Sequence, residues 1–390
     1  VNFRLRNDII SVVSLAEGDK RGNNAQESTG TGPSSLLELY LLKKSVIEER
    51  LGGFLRGVRT GEFNVHVSPV VSDALEYAVM TLGGKRARPI LVYLAHDLVG
   101  GSFSDIDEAA IIPELPHKGS LAEDDIDDNA VRREGKPPVF RVFGGDEEEG
   151  KAIAEKAYQL LYQSPALIIN RLPIPEEMKR WLLTDYEDYA RKVREGQHME
   201  LEYSRRGGDV RLGEIANVFI YPAIAMSKCG AFTYAVRVGA VLGGANERQL
   251  GALTTIADLC GAIFQARDDV ISITEGSDDY GADITEGRIN FLTGPIVMIH
   301  PNHTPDGRRL REILKMHTTD PRLIKEAVEI TRKYTFFTDD QGRRWDRVEI
   351  YMNGFIEVAK MLLHGVFPAS NARNRMEELI DFCRTGSLIG

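Results

Sequence analysis

From Leu36 onward, apolar residues recur three and four positions apart, as in LLELYLLKKSVIEERLGGFL (36–55) and DPRLIKEAVEITRKYTFF (320–337). That spacing belongs to helices with one buried face, and runs of alternating polar and apolar residues, which would mark strands, are scarce. Breaks rich in Gly, Pro and Asp at FGGDEEEG (143–150) and HPNHTPDG (300–307) suit connecting loops. No short repeat recurs, which excludes a solenoid. The pattern predicts an all-α fold of roughly ten or more helices. With 390 residues, 43% of them hydrophobic, the chain can build a large core.

Residues 1–34, running into NNAQESTGTGPSS (23–35), are rich in Gly, Ser, Asn and Thr and read as a flexible leader ahead of one domain over 35–390. The leader lacks a charged start followed by an apolar run, so a secretory signal is not expected. Organellar targeting stays open beside a cytoplasmic location. The longest apolar region, Val218 to Gly244, is interrupted by Lys228 and Arg237, so it reads as buried helices and not as a membrane span. A net charge of −10 excludes broad nucleic-acid binding, which needs a basic face. Three widely spaced cysteines indicate neither a disulfide framework nor a zinc site, and fit a reducing compartment.

Against this background two acidic clusters stand out. SLAEDDIDDN (120–129) places Asp124 and Asp128 one turn apart on one helix face, with Asp125 beside them. GAIFQARDDVISI (261–273) embeds Asp268 and Asp269 in another apolar helix. One such cluster alone is ordinarily a solvated acidic turn. Two facing one cavity would be costly unless cations neutralise them, and Mg²⁺ held by carboxylates, waters and substrate phosphates is the natural solution. Basic residues accompany them. GGKRARP (83–89) offers Lys85, Arg86 and Arg88, VRREGKP (131–137) offers Arg132 and Arg133, and Lys228 lies in the apolar run. Together these features describe a cavity with metal-binding carboxylates and diphosphate-binding cations.

The motifs GGKRARP, LPHKGSLAEDDIDDN, RREGKP, EGQHMELEY, YPAIAMSKCGA, FQARDD and DITEGR follow one another in the order found in the trans-isoprenyl diphosphate synthases, or polyprenyl synthetases. The chain resembles that family from about Leu36 to its C-terminal helices, and FQARDD with DITEGR is most similar to the geranylgeranyl diphosphate synthases. The resemblance implies an isoprenoid-synthase-type helical bundle around a deep central cavity, usually as a homodimer. It implies three Mg²⁺ ions, two on Asp124 and Asp128 with Asp125 in support, and a third on Asp268. The ions assist ionisation of an allylic diphosphate, after which isopentenyl diphosphate adds and a proton is lost. By position, Lys85, Arg88 and His117 resemble the isopentenyl diphosphate site, and Arg133, Lys228, Gln265 and Arg288 fall where the allylic diphosphate is held.

The chain also departs from the pattern. Counted from Asp128, the family's Arg pair belongs at 133 and 134, but here it stands at 132 and 133, leaving Glu134 where an isopentenyl diphosphate ligand is expected. At ~4 Å and an effective dielectric of 20, that reversal acts on about 4 kcal/mol of Coulomb energy. Arg132 could swing into the gap. Ser272 ends the second motif, Glu200 and Cys229 replace the usual Asp and Thr, and Arg288 replaces a Lys. Pro113 and Pro116 predict a kink or break between them, putting His117 in a first helical turn whose free N–H groups favour an anion. The small Gly119 and Ser120 ahead of the first motif leave room for a long prenyl tail, so geranylgeranyl diphosphate or a longer product is expected. Two alternatives stand beside the synthase. One is a terpene synthase-like enzyme that ionises an allylic diphosphate without isopentenyl diphosphate, and the other is a non-catalytic regulatory subunit.

Overall fold

The computed structural model describes residues 33–127, 129–206, 227–277, 280–290, 292–299 and 304–385, with the side chains at 200, 201, 203, 204, 227–230, 298, 299 and 385 outside that description. The described residues form sixteen α-helices and one small hairpin. In chain order these are α1 (Leu36–Thr60), α2 (Pro69–Glu76) continuing into a π-helical turn (Tyr77–Thr81), α3 (Ala87–Leu98), α4 (Ile106–Ala109), α5 (Glu114–Asp127), α6 (Val139–Val142), α7 (Glu147–Ile169) and α8 (Glu176–Arg206). There follow α9 (Ser227–Leu242), α10 (Glu247–Ser272), α11 (Ala282–Thr285), α12 (Thr293–Ile299), α13 (Pro305–Lys315), α14 (Pro321–Thr335), β1 (Phe336–Thr338), β2 (Arg344–Asp346), α15 (Arg347–Val366) and α16 (Asn371–Thr385).

Helix starts follow local chemistry. Ser35 accepts from the Glu38 N–H at the head of α1, and Asp146 accepts from Glu149 at the head of α7. Each satisfies a donor that the first turn leaves free. The acidic run of FGGDEEEG is therefore the first turn of α7 and not part of a loop. Asn246 and Gln249 close a reciprocal capping box on α10. The hairpin pairs Phe336 with Asp346 and Phe337 with Trp345. Helical periodicity fails there because Phe336 and Phe337 leave the helix for a strand whose burial is low.

The first described backbone is fastened to the last helix. The Leu36 N–H donates to the Glu378 carboxylate at 2.7 Å, and Arg375 on α16 pairs with Asp97 on α3 at 2.7 Å. The buried apolar cluster includes residues from Leu36 to Cys383. At its centre α9 packs on α10, α3, α8 and α5. The α9–α3 crossing depends on Gly239, where a Cβ would sit 2.1 Å from the Val92 carbonyl oxygen.

The prolines act one step earlier than expected. The helix stops at Ala109, turns through Ala110–Pro113 and restarts at Glu114, so the break ends at Pro113 and Pro116 lies inside the first turn of α5. Pro116 needs no N–H there, which is why the position accepts it. The Glu114 and Leu115 N–H groups both donate to the Ile111 carbonyl, at 3.1 and 3.4 Å. They are not free for an anion. No described helix is long and apolar enough to cross a membrane.

Candidate active site

Helix α5 gathers Asp124, Asp125 and Asp127 at its C-terminal end and carries Glu114, His117 and Lys118 at its N-terminal end. Asp124 lies seven residues after His117, and Asp125 seven after Lys118, so each pair shares a face two turns, or about 10 Å, apart. The inner face carries Glu114, Lys118, Ala122 and Asp125, all buried.

At the C-terminal end, Asp125 is 1% exposed. Arg133 reaches it from a hairpin turn, donating from Nε to Asp125 Oδ1 at 2.8 Å and from Nη2 to Asp124 Oδ2 at 3.0 Å. Backbone bonds between Arg133 and Lys136 close the turn, with Glu134 at φ 51° and Gly135 at φ 77° as its two left-handed central residues. Burial raises the Asp125 carboxyl, and Arg133 only partly offsets it. Burial opposes the Arg133 charge, yet its bonds to Asp125 and the charge of Asp124 raise its pKa overall. Burial, then Asp124, raises Asp127. Asp125 Oδ2 is buried without a hydrogen-bond partner among the described residues. An orphaned carboxylate oxygen beside half-exposed Asp124 fits a hard divalent cation, for which oxygen donors are the proper ligands. Asp124, Asp125 and Asp268 are the described residues that would hold Mg²⁺; Asp128 lies outside the described residues.

The second motif occupies the last turns of α10. Gln265 Nε2 donates to Asp269 Oδ1 at 2.8 Å, Asp269 is buried, and Asp268 is half-buried. The buried Ser272 hydroxyl donates to the Asp269 carbonyl at 2.7 Å, so the residue in the place of a third aspartate ties off the helix. Helix α9, which carries Lys228, packs on both α5 and α10. The Lys228 side chain lies outside the described residues. No group of three potential metal ligands is already assembled among the described residues. Arg288 is half-buried after α11 and pairs with Glu286.

The N-terminal end of α5 meets the GGKRARP loop. Arg86, 1% exposed, bonds Glu48 at 2.8 Å, Glu114 at 3.0 Å and the Val79 carbonyl at 2.7 Å. Its partners make it a tie between α1, the loop and α5, and not a phosphate ligand. Arg88 and His117 differ: Arg88 Nε and His117 Nδ1 are buried without partners. Burial lowers the Arg88 pKa. Burial, followed by the charges of Arg88, Lys118, Arg133 and Arg86, pushes His117 well below the ordinary imidazole range, so the ring is neutral at pH 7. His117 thus feels both the Arg88 and the Arg133 groups. Lys85 is exposed on the loop, and Arg132 and Glu134 are exposed on the hairpin.

Lys118 was not among the sequence candidates. It is 5% exposed and donates to the Gly83 carbonyl. Its signal was present: Lys118, Ala122 and Asp125 are spaced as a buried helix stripe, and a lysine there is anomalous.

The room expected at Gly119 is filled. A Cβ there would lie 3.2 Å from both Leu161 Cβ and the Tyr158 carbonyl oxygen of α7. Gly119 therefore lets α5 and α7 touch. A cleft of about 700 Å³ opens beside it between α5, α7 and α8, lined by Glu123, Tyr158, Tyr162, Tyr186 and Arg194 among others. Tyr162 donates to the Glu123 carboxylate at 2.5 Å.

One helix of an all-α bundle thus carries Asp124 and Asp125 at its C-terminal end and meets Arg86, Arg88 and Lys118 around its N-terminal end. The polyprenyl synthetase family profile matches residues 68–331, more than half of the chain, and the chain belongs to that family. It is thereby an enzyme of the isoprenyl diphosphate synthase kind. It is 29% identical over 263 residues to a short chain isoprenyl diphosphate synthase of Methanothermobacter thermautotrophicus, covering 66% of this chain and 75% of that one. It is 28% identical over 233 residues to geranylgeranyl pyrophosphate synthase 9, chloroplastic, of Arabidopsis thaliana, where the match covers 57% of this chain and 61%, under two thirds, of the plant protein. The fold superposes on geranylgeranyl pyrophosphate synthetase from Pyrococcus horikoshii with a TM-score of 0.72 at 24% identity, over 90% of this chain and 98% of that one. It also superposes, with a TM-score of 0.71 at 20% identity over 88% and 98% of the two chains, on the Corynebacterium glutamicum geranylgeranyl pyrophosphate synthase structure complexed with isoprenyl diphosphate and magnesium.

Proposed function

We propose that this protein joins isopentenyl diphosphate to an allylic diphosphate, giving geranylgeranyl diphosphate or a longer trans-polyprenyl diphosphate. The observation that carries the reading is the carboxylate pair Asp124 and Asp125 at one end of α5 and, around its other end, three cations, Arg86, Arg88 and Lys118, against the two carboxylates Glu48 and Glu114. In this reading Asp124, Asp125, Asp128 and Asp268 hold Mg²⁺, which supplies charge neutralisation of the leaving diphosphate. Arg133 is held by the carboxylates at the allylic end, where Lys228, Gln265 and Arg288 complete the grip on that diphosphate. Lys85, Arg88 and His117 take the diphosphate of isopentenyl diphosphate, with Arg132 as a further candidate. Preorganised cations favour the more concentrated negative charge that develops as the diphosphate leaves. A neutral His117 can donate one ring N–H to phosphate without adding charge.

A homodimer in the cytoplasm or an organelle accompanies the proposal. The small Ser120 and the geranylgeranyl names of the relatives support the product length; Gly119 does not, because α7 occupies its side. The exposed carboxylate of Glu134 favours the second reading, an enzyme that ionises an allylic diphosphate alone. The retention of Asp124 and Asp125, both bonded to Arg133, speaks against a silent subunit, which would have no use for a buried carboxylate with an unpartnered oxygen. The test is incubation of the protein and Mg²⁺ with each allylic diphosphate, with and without isopentenyl diphosphate, followed by mass spectrometry. Chains lengthened by five carbons are expected. Hydrocarbons or alcohols formed without isopentenyl diphosphate would replace the first reading by the second, and no turnover would leave the regulatory subunit.

A further inference from the structure

The cationic end of α5 holds more positive charge than its carboxylates can pair. Arg86 takes both Glu48 and Glu114. Among the described residues, no carboxylate forms an ion pair with Lys118 or with Arg88, and both lie against Glu114 only through longer-range attraction. The Lys118 ammonium is nevertheless buried, beneath the Gly83–Gly84 backbone, where a Cβ on Gly84 would lie 3.0 Å from Nζ. Two more polar groups of the same cluster, Arg88 Nε and His117 Nδ1, are buried and unpartnered. A buried ammonium with one carbonyl for a partner is costly unless an anion joins it. Glu134, on the hairpin tip, is close enough for its charge to act on Lys118.

We propose that Lys118 is a direct ligand of the isopentenyl diphosphate and supplies from α5 the positive charge that Glu134 withholds from the hairpin. The diphosphate would give Lys118 Nζ, whose one described partner is the Gly83 carbonyl, a counter-charge and would complete two unpartnered groups, Arg88 Nε and His117 Nδ1, while Glu134 remains at the solvent-exposed tip. The charge has moved from a turn, where a long side chain must be ordered on binding, to a helix face where it is already fixed. This assignment rests on the synthase reading. The competing role for Lys118 is a structural tie from α5 to the Gly83 carbonyl, and the two roles give opposite results.

The experiment measures steady-state kinetics of the full chain with Lys118→Gln, Glu134→Arg and the double variant, varying each substrate at a saturating level of the other. For Lys118→Gln the KM for isopentenyl diphosphate should rise at least 20-fold while that of the allylic substrate changes less than threefold. Adding Glu134→Arg should recover at least fivefold of the loss. The proposal is overturned if the isopentenyl diphosphate KM stays within twofold of wild type, or if both KM values rise together with a lowered Tm, which is the signature of the tie. Should the wild type form no lengthened chain, the synthase reading fails on its own. Calorimetric titration with isopentenyl diphosphate then decides: binding weakened at least tenfold by Lys118→Gln upholds the ligand, and equal or absent binding in both proteins removes it.

Discussion

Lys118 sits where an ammonium is least welcome, and its titration follows from that. Burial first, then Arg86 and Arg88, outweigh Glu114 and Glu134 and lower its pKa from 10.5 to about 8. Below pH 8 the folded and unfolded chains both carry the proton, and the burial penalty, about 3 kcal/mol, is fully present. Between pH 8 and 10.5 only the unfolded chain keeps the proton, so stability rises with pH across that window. Lys118→Met should therefore be more stable than wild type by about 2 kcal/mol at pH 7 in urea unfolding, once the lost carbonyl bond is allowed for, with the gap narrowing by pH 9.5. A Met variant less stable than wild type at pH 7 would refute this account. Arg133 presents the opposite case. Removing it strands the Asp125 carboxylate, and Arg133→Leu should cost about 3 kcal/mol in the same measurement. Arg86→Met should likewise lower stability by about 3 kcal/mol, since Glu114 is 2% exposed and loses its counter-charge.

Helix pairs, not single helices, set the shape of the site. Gly119 permits contact between α5 and α7, and its neighbours include backbone, which cannot yield as a side chain can. Gly119→Ala should lower Tm by several degrees, through overpacking of about 1–3 kcal/mol, and leave the product distribution unchanged. Ser120→Phe, one position on and half-buried, should instead shorten the product, read by chromatography of the dephosphorylated chains. A shorter product from Gly119→Ala with an unaltered Tm would reverse the assignment. Gly239 is a stricter case, because any Cβ there meets the Val92 carbonyl and forces α9 off α3. The helical elements were legible because their apolar periodicity is local. The β1–β2 hairpin was not, since strands of three residues are too short to carry a period that can be detected.

Across the whole molecule, the C-terminal helix closes the bundle onto its own beginning. Phe382 packs against Phe264 of α10 with ring centroids 5.8 Å apart, while Glu378 and Arg375 hold α1 and α3. Deleting residues 371–390 should consequently disturb the helix that carries Gln265 and Asp268, although those residues are remote in sequence. The expected result is loss of the cooperative thermal transition by circular dichroism, and a native-like transition in the truncated chain would refute it. Cys260 on α10 and Cys383 on α16, distant in sequence, are both buried and lie against each other where the last helix meets α10.

The sequence alone determined the all-α class, the two aspartate motifs and the family resemblance, because periodicity and motif order are properties of near neighbours along the chain. It also exposed the charge reversal at Glu134. Only the tertiary structure decided which cations are available to a ligand. Arg86, Arg88 and Lys118 look alike as residue types, but Glu48 and Glu114 reach Arg86 from distant elements, and among the described residues the other two form no ion pair with a carboxylate. Whether Gly119 faces a cavity or a helix was likewise undecidable before α7 was in place, because burial and pairing are set by contacts between segments far apart in sequence.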